Sequence, residues 1–223
     1  MYEIVIANRQ WSGPSLRGWL VLKRTGAAFT ERKIEIAASG GRVFTQEDKL
    51  AFKARQAEAS PTALLPVLRD GELLVWDTAS IAEYLHEKHP EARLWPRDPA
   101  ARALARSAVA EIHSGFAGFQ RECRTDLFLR VRHELADPRA RLDVGRLVRL
   151  FRDLRGRFGD AGPFLVGEWS VADAFATPEA ARLRSYGIDL ATFGDDGAAQ
   201  AYCDVLLETA DYLAWEVLAE AGA

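Results

Sequence analysis

The sequence contains little cysteine: Cys123 and Cys203 are the two in 223 residues, and both lie in helical patterns far apart along the chain. Two such cysteines do not indicate a disulfide framework, so a reducing cytoplasm fits them better than an oxidising compartment. The first residues lack a basic stretch followed by an apolar run, and we expect no signal peptide. No apolar run approaches the length of a membrane span. The sequence predicts a cytoplasmic protein that does not enter the membrane.

An excess of charge of one sign is also missing. The chain has 29 basic and 32 acidic residues, a net charge of −3, and an apolar content of 48% that is typical of globular proteins. We therefore expect no general attraction to nucleic acid or to an anionic membrane. Eleven arginines lie between Arg121 and Arg157, but acidic residues are interleaved with them and no aromatic platform accompanies them. A solvated helical surface is the favoured interpretation of that segment.

The first part of the chain alternates between strand and helix patterns. Glu3 to Ala7 is predicted as a strand, residues 16–26 as a helix that stops at Gly26, and Phe29 to Ile36 as a second strand. This order predicts a βαβ unit with parallel strands and a right-handed crossover. A loop at residues 39–41 (Ser39-Gly40-Gly41) and a charged helix from Phe44 to Ala57 are predicted to follow.

The segment from Leu64 to Leu85 gives the strongest local signal. Asp70-Gly71 between two apolar runs predicts a β-hairpin, because both central residues of a type I′ turn need positive φ. Pro66 stands at the head of the first strand, where a missing N–H is least costly. An X-Pro bond can also be cis at modest cost. The sequence therefore predicts two short strands joined at this turn and followed directly by a helix.

The start of that helix offers three candidate N-caps, Asp77, Thr78 and Ser80. Residues 80–83 also fit the capping-box pattern, with Ser80 as the cap and Glu83 closing the box. Free N–H groups and the positive end of the helix dipole make such a start a suitable seat for a carboxylate. The hairpin and the helix start together offer an exposed backbone edge beside an anion pocket.

Beyond residue 89 the pattern contains helices only. A linker with three prolines runs from Pro90 to Pro99. Helices are predicted from Ala100 to about Arg132, where Asp137-Pro138 ends the pattern, from Leu142 to Phe158, and from Ala198 to Ala219.

A further helix is predicted after Ser170, because residues 170–173 form a capping box in which Asp173 closes back on the cap. Pro178 lies inside this helix and is expected to kink it. The predicted fold is therefore α/β plus all-α. It comprises an N-terminal domain over residues 1–89, a linker over 90–99 and a helical bundle over 100–223.

These elements, in this order, resemble the glutathione S-transferase family. Strand, helix, strand, helix, hairpin and helix is the order of its thioredoxin-like, glutathione-binding domain. Leu65-Pro66 stands where the family has a cis-proline after the residue whose backbone pairs with the cysteinyl part of glutathione. Asp77-Thr78 stands where an acidic-hydroxyl pair, more often Glu-Ser, holds the γ-glutamyl end.

The second half of the chain strengthens this resemblance. Phe164 to Gly167 followed by residues 170–174 is similar to the capping signature of the family's helical domain. Ala110 to Phe116 and Ser185 to Gly187 are similar to segments of one bacterial branch. The resemblance implies a homodimer that uses glutathione as co-substrate, needs no metal and attacks a small electrophile.

The resemblance places the thiol-activating residue in the loop after the first strand. Residues 12–15, Ser12-Gly13-Pro14-Ser15, occupy the place of a Cys-x-x-Cys motif with serine at both cysteine positions. A hydroxyl that donates a hydrogen bond to sulfur favours the thiolate, which is the nucleophile. Ser12 is our candidate for this role, although a helix N-cap is the alternative for Ser12 and at least as good an interpretation of Ser15. The Ser-x-x-Ser pattern is similar to the class that includes maleylacetoacetate isomerase, so isomerisation with catalytic glutathione is a variant.

Other candidates border the second-substrate pocket. Trp11, Pro14 and His113 are assigned to it by the resemblance, although a histidine hydrogen-bonded to a neighbour in the core or at an interface is the more common situation for His113. Many relatives carry a polar side chain where this chain has Leu64, and Lys33 or Lys49 are conceivable substitutes.

Two other classes of function remain as alternatives. A disulfide reductase is disfavoured, because neither serine of the motif can form a mixed disulfide. A non-catalytic transferase-like module that binds a ligand or another protein is harder to exclude, since Leu64 and Asp77 depart from the family pattern.

Overall fold

The computed structural model describes residues 1–35 and 45–221, and in this part of the chain residues 2–88 form a four-stranded mixed sheet with three helices. The sheet order is β2-β1-β3-β4, with β1 parallel to β2 and the other neighbouring strands antiparallel. The predicted βαβ, α, ββ, α order is confirmed. The elements are β1 (Tyr2–Ile6), α1 (Gly13–Arg24), β2 (Phe29–Lys33), α2 (Gln46–Ala59), β3 (Val67–Asp70), β4 (Leu73–Trp76) and α3 (Thr78–Lys88).

The second strand is shorter than predicted, since it ends at Lys33. Ile36, the predicted loop at residues 39–41 and Phe44 lie outside the described residues. The charged helix between the βαβ unit and the hairpin is confirmed as α2, which extends to Ala59 rather than Ala57.

The predicted hairpin is confirmed, but its turn is displaced by one residue. Asp70 pairs with Leu73 across the hairpin and with Tyr2 of β1, so it needs extended backbone and belongs to the strand. The two loop residues are Gly71 and Glu72, and of these two only Gly71 has positive φ, at 60°. A positive φ at the first position alone is the pattern of a type II′ turn rather than the predicted type I′ turn.

Helix α3 uses Asp77 as its N-cap: the carboxylate accepts hydrogen bonds from the backbone N–H groups of Ala79 and Ser80, at 2.8 and 3.4 Å. The capping box predicted at Ser80 is wrong, because that residue lies inside the helix and Glu83 pairs with Arg106 instead. The helix starts earlier because β4 ends immediately before the cap, which has φ of 73° and turns the chain sharply.

The helical part begins at Pro99, and its described elements are α4 (Pro99–Ser114), α5 (Ala117–Glu122), α6 (Pro138–Phe158), α7 (Val171–Ser185), α8 (Ala198–Leu207) and α9 (Ala210–Glu220). Helix α7 is buried along nearly all of its length and packs against α1, α4 and α8. This helix is therefore the contact through which the sheet domain and the helical bundle share one core.

The long helix predicted over residues 100–132 is wrong. Phe116, with φ of 58°, separates α4 from α5, and residues 123–136 run as irregular backbone. The Glu122 carboxylate accepts the backbone N–H groups of Ala136 and Asp137 at 2.7 and 3.0 Å, and it contacts the His133 ring. Burial raises the pKa of this carboxyl, but these hydrogen bonds outweigh it and hold the pKa below its usual value. They replace the helical hydrogen bonds that the amphipathic pattern predicts.

The last predicted helix is two helices. α8 ends at Leu207 and α9 begins at Ala210, because the Thr209 hydroxyl accepts the backbone N–H of Tyr212 and caps a new helix. The capping box at the start of α7 is confirmed, and Pro178 does lie within that helix. The kink expected at this proline stays a prediction.

Both cysteines are buried and neither forms a disulfide. Burial, with a further effect of Glu122, raises the pKa of the Cys123 thiol to about 12, and burial also raises the pKa of the Cys203 thiol. Within residues 1–35 and 45–221, no helix combines the length and apolar character needed to cross a membrane.

Candidate active site

A cavity of about 680 Å³ opens between the loop after β1 and the helical bundle. Its wall combines apolar side chains with polar and charged ones, and the charged ones come from α7 and the segment after α5. The lining residues are Ala7, Asn8, Trp11, Ser12, Phe52, Gln56, Leu64, Leu65, Gln120, Arg124, Thr125, Asp126, Leu129, Arg182 and Tyr186. Trp11, Ser12 and Leu65 are the predicted site residues that this cavity brings together.

Ser12 lies in the cavity wall and is also the N-cap of α1. Its Oγ accepts the backbone N–H of Ser15 at 3.3 Å and donates to the Ser15 Oγ at 2.8 Å. Ser15 is fully buried, and its Oγ also accepts the backbone N–H of Ala7 at 3.0 Å. The interpretation of Ser15 as the cap is therefore wrong, because its hydroxyl faces inward to β1. Ser12 combines a partly exposed hydroxyl with the positive end of a helix dipole.

The second element of the site is the start of the hairpin, where the Leu65-Pro66 peptide bond is cis. Leu65 contributes to the cavity wall, and Pro66 packs on α1 so closely that a Cβ at Gly18 would lie 2.8 Å from its Cγ. Leu64 is two-thirds exposed at the cavity mouth. Glycine at this position of α1 thus permits the close contact that places the hairpin beside Ser12.

Asp77 and Thr78 lie outside the wall of this cavity. The Asp77 Oδ2 lies 2.9 Å from the His113 Nε2 of α4, while its Oδ1 caps α3. The ring of His113 packs edge-to-face on Phe175 of α7. Thr78 is buried. His113 is therefore hydrogen-bonded to a neighbour, as the alternative interpretation has it, and it does not line the cavity that contains Ser12.

Three further candidates lie away from the cavity wall. Pro14 is exposed at the start of α1, and Lys33 and Lys49 are absent from the described cavity lining. The roles assigned to Pro14 and His113 stay predictions.

The most buried charged group near the cavity was not identified from the sequence. The Glu179 carboxylate of α7 is fully buried and accepts from Arg17 at 2.8 Å, from Gln120 at 3.2 Å and from Arg182 at 3.2 Å. Arg182 also donates to the backbone carbonyl of Cys123 at 2.8 Å. Burial lowers the pKa of Arg17, while its ion pair with Glu179 opposes this effect. The available signal was two charged residues at i, i+3 in an otherwise alanine-rich helix.

The irregular segment after α5 supplies part of the cavity wall. The Asp126 carboxylate accepts from the Gln10 amide at 2.9 Å and from the backbone N–H of Phe128 at 3.1 Å. The backbone N–H of Leu127 donates to the carbonyl of Gln10. These bonds hold the segment against the loop that carries Ser12, with Arg124 in the wall beside it. Within the described part of the chain, no group of three or more His, Cys, Asp or Glu side chains is arranged to hold a metal ion.

Comparison with known proteins gives a consistent set of relatives, although no protein-family model matches the chain. It is 29% identical over 183 residues to a probable maleylacetoacetate isomerase of Drosophila melanogaster, which covers 81% of this chain and 70% of that protein. It is 26% identical to the maleylacetoacetate isomerase of Rattus norvegicus, with 82% and 79% covered. It is 29% identical to glutathione S-transferase 1 of Dianthus caryophyllus, with 60% and 61% covered.

Solved structures share the fold over the whole chain. A glutathione transferase homologue from Burkholderia, solved with bound glutathione, superposes with a TM-score of 0.70 at 20% identity and covers 100% of this chain and 99% of that one. Poplar glutathione transferase F1 superposes with a TM-score of 0.71 at 14% identity, with 99% and 98% covered. The predicted fold class, a thioredoxin-like domain followed by a helical bundle, is confirmed.

Proposed function

We propose that this chain, which belongs to the glutathione S-transferase family, binds glutathione in the cavity beside Ser12 and activates its thiol for attack on a small electrophile. The observation that carries this proposal is the position of the Ser12 hydroxyl, which is both in the cavity wall and at the N-terminus of α1. In this proposal the protein acts as a cytoplasmic homodimer in which glutathione is a co-substrate.

Activation of the thiol requires that the thiolate be favoured over the neutral form. A hydroxyl that donates to sulfur and the positive end of α1 both favour the charged form. In the structure the Ser12 hydroxyl donates to the Ser15 Oγ, which is held in place by the backbone N–H of Ala7. When glutathione binds, the Ser12 hydroxyl hydrogen turns from Ser15 to the sulfur, and the Ser15 side chain stays fixed.

Two further contacts would hold the tripeptide. The backbone of Leu65, in the cavity wall, pairs with the cysteinyl part of glutathione in the manner of an added strand. The Asp77 carboxylate, whose side chain is 40% exposed, attracts the γ-glutamyl ammonium group, with Thr78 beside it at the start of α3. Pro66 fixes the hairpin on α1 so that these two subsites keep their distance.

The direct test is isothermal titration of glutathione into the wild-type protein and into Asp77→Asn. Asparagine caps a helix as well as aspartate does, so this variant removes the charge and keeps the start of α3. We expect the dissociation constant for glutathione to rise about 10-fold in Asp77→Asn, because a charge-assisted hydrogen bond becomes a neutral one.

The matched control is Asp98→Asn, since Asp98 caps α4 in the same way at a distance from the cavity. We expect this variant to bind glutathione as the wild type does. If the wild type shows no heat of binding at millimolar glutathione, the transferase function is refuted and the non-catalytic module takes its place.

The cavity favours an acidic second substrate, either for conjugation or for isomerisation. Arg124 and Arg182 face the cavity, against the single carboxylate of Asp126. In isomerisation the thiolate adds to a conjugated double bond, the bond rotates as a single bond, and elimination returns glutathione unchanged. The maleylacetoacetate isomerases among the relatives make this the second candidate function.

Charge selectivity distinguishes an acidic substrate from a neutral one. We expect Arg124→Gln to lower kcat/KM for a carboxylated chlorodinitrobenzene about 10-fold, because one charge-assisted contact is lost. The value for unsubstituted chlorodinitrobenzene should change little. Equal losses with both substrates would contradict the assignment of an acidic substrate.

A further inference from the structure

A buried group of charged side chains joins the two halves of the protein, and it contains more positive than negative charges. It contains two guanidinium groups, Arg17 from α1 and Arg182 from α7, and one carboxylate, Glu179. The arginine side chains are each 6% exposed and the carboxylate is fully buried. Glu179 accepts three N–H donors in total, an arrangement that its ionised form satisfies. The group therefore retains one positive charge in excess.

The position of this charge relates it to the cavity. Arg182 and Gln120, which both donate to Glu179, are part of the wall that also contains Ser12. Arg17 lies five residues beyond Ser12 on α1. A charge held in a poorly hydrated site acts over a longer distance than a charge in water, because screening is weak there.

The other charged groups around the cavity leave this excess in place. On the segment after α5, Arg124 and Asp126 both line the cavity, and their charges are of opposite sign. Directly after α7, Tyr186 lines the cavity, and burial raises its pKa, so it stays neutral near pH 7. The lining residues of α2, Phe52 and Gln56, carry no charge. At the start of α3, the Asp77 carboxylate is hydrogen-bonded to His113 of α4 and acts electrostatically on Arg17, but it lies outside the cavity wall that Arg182 lines.

We infer that the excess positive charge of Arg17, Glu179 and Arg182 stabilises the thiolate of glutathione bound beside Ser12. Arg182 and Glu179 are positioning residues with opposite effects: Arg182 supplies the charge that faces the cavity, and Glu179 holds it in place while reducing its strength. The inference rests on the proposed function, since it concerns the same bound thiol.

The test is an ultraviolet titration of the thiolate absorbance of the glutathione complex, which reports the pKa of the bound thiol without turnover. We expect Glu179→Gln to lower that pKa by about one unit and Arg182→Gln to raise it by about one unit. Arg182→Lys keeps the charge and should restore the thiol pKa toward the wild-type value. A purely structural role would not produce shifts of opposite sign.

Matched controls are Asp153→Asn and Arg149→Gln, which make the same charge changes at exposed positions of α6. We expect neither control to shift the thiol pKa, because water and salt screen those sites. If Glu179→Gln does not fold, the comparison of Arg182→Gln with Arg182→Lys still decides the question.

Calorimetry of glutathione binding separates the two ways in which the experiment can fail. Absence of binding to the wild type refutes the proposed function and this inference with it. Binding with thiol pKa values that are unchanged in Arg182→Gln and Glu179→Gln, or shifted in the same direction, overturns this inference alone.

Discussion

Replacing Ser12 with alanine is expected to lower kcat/KM for glutathione conjugation about 100-fold, with a change of no more than a few-fold in the dissociation constant for glutathione. The expected 100-fold decrease follows from the loss of one preorganised hydrogen-bond donor to the thiolate, since the loss of one such donor to an anion typically has an effect of this order. Binding persists because the contacts proposed for the peptide backbone and the γ-glutamyl end are untouched. Steady-state kinetics with chlorodinitrobenzene and calorimetry measure the two quantities.

Ser12 also caps α1, so the variant needs a control for stability. Loss of the cap is expected to lower the free energy of unfolding by about 1 kcal/mol, which thermal denaturation can detect. Ser12→Thr keeps both the cap and the hydroxyl and should retain most of the activity. Activity of Ser12→Ala within a few-fold of the wild type would exclude Ser12 as the thiolate partner.

Replacing Asp173 with alanine is expected to lower the free energy of unfolding by about 3–5 kcal/mol, more than Ser12→Ala or Tyr202→Phe. Its carboxylate is fully buried and accepts the backbone N–H groups of Leu165 and Ser170 at 2.9 and 2.7 Å and the Tyr202 hydroxyl at 2.8 Å. Alanine would leave these donors buried without an acceptor. Urea denaturation of the two proteins measures the difference.

Tyr202→Phe is the matched control, because it removes one donor of this group and leaves the Asp173 carboxylate in place. We expect a loss of about 1 kcal/mol, the usual net contribution of one hydrogen bond. Burial raises the pKa of Asp173 even though its four hydrogen bonds favour the carboxylate. If Asp173→Ala unfolds at the same urea concentration as Tyr202→Phe, the Asp173 carboxylate does not make the stabilising contribution assigned to it.

The sequence predicts the order of elements well because the signals involved are local. The β-branched run of β1, the hairpin around Gly71 and the capping box at Ser170 act within a few residues, and these three elements are confirmed. The prediction of one helix over residues 100–132 failed because the amphipathic pattern continues past Phe116, where the structure separates α4 from α5. Gly115 is the C-cap that ends α4, while the left-handed backbone falls on Phe116, a residue type that does not signal this conformation.

Competition between local signals was decided by tertiary contacts. Ser80 and Asp77 both fit a helix start, and the earlier residue is used because β4 ends directly before it. Asp70 fits a turn, but its pairing with Tyr2 of β1 keeps it in the strand. In each case a partner distant in sequence selects one of two locally acceptable conformations.

The candidate site likewise contains residues that the sequence indicates and contacts that only the tertiary structure establishes. Ser12, Leu65 and Asp77 could be named as candidates from the sequence, because the resemblance to the glutathione S-transferase family assigns roles to the loop after β1, to the residue before the proline and to the start of α3. The sequence by itself thus determined the thioredoxin-like half, the helical character of the second half and the loop that carries the serine. The tertiary structure alone decided that His113 bonds to Asp77 and that Arg17 and Glu179 form a buried ion pair, because such contacts join residues far apart in the chain through packing that no local pattern records.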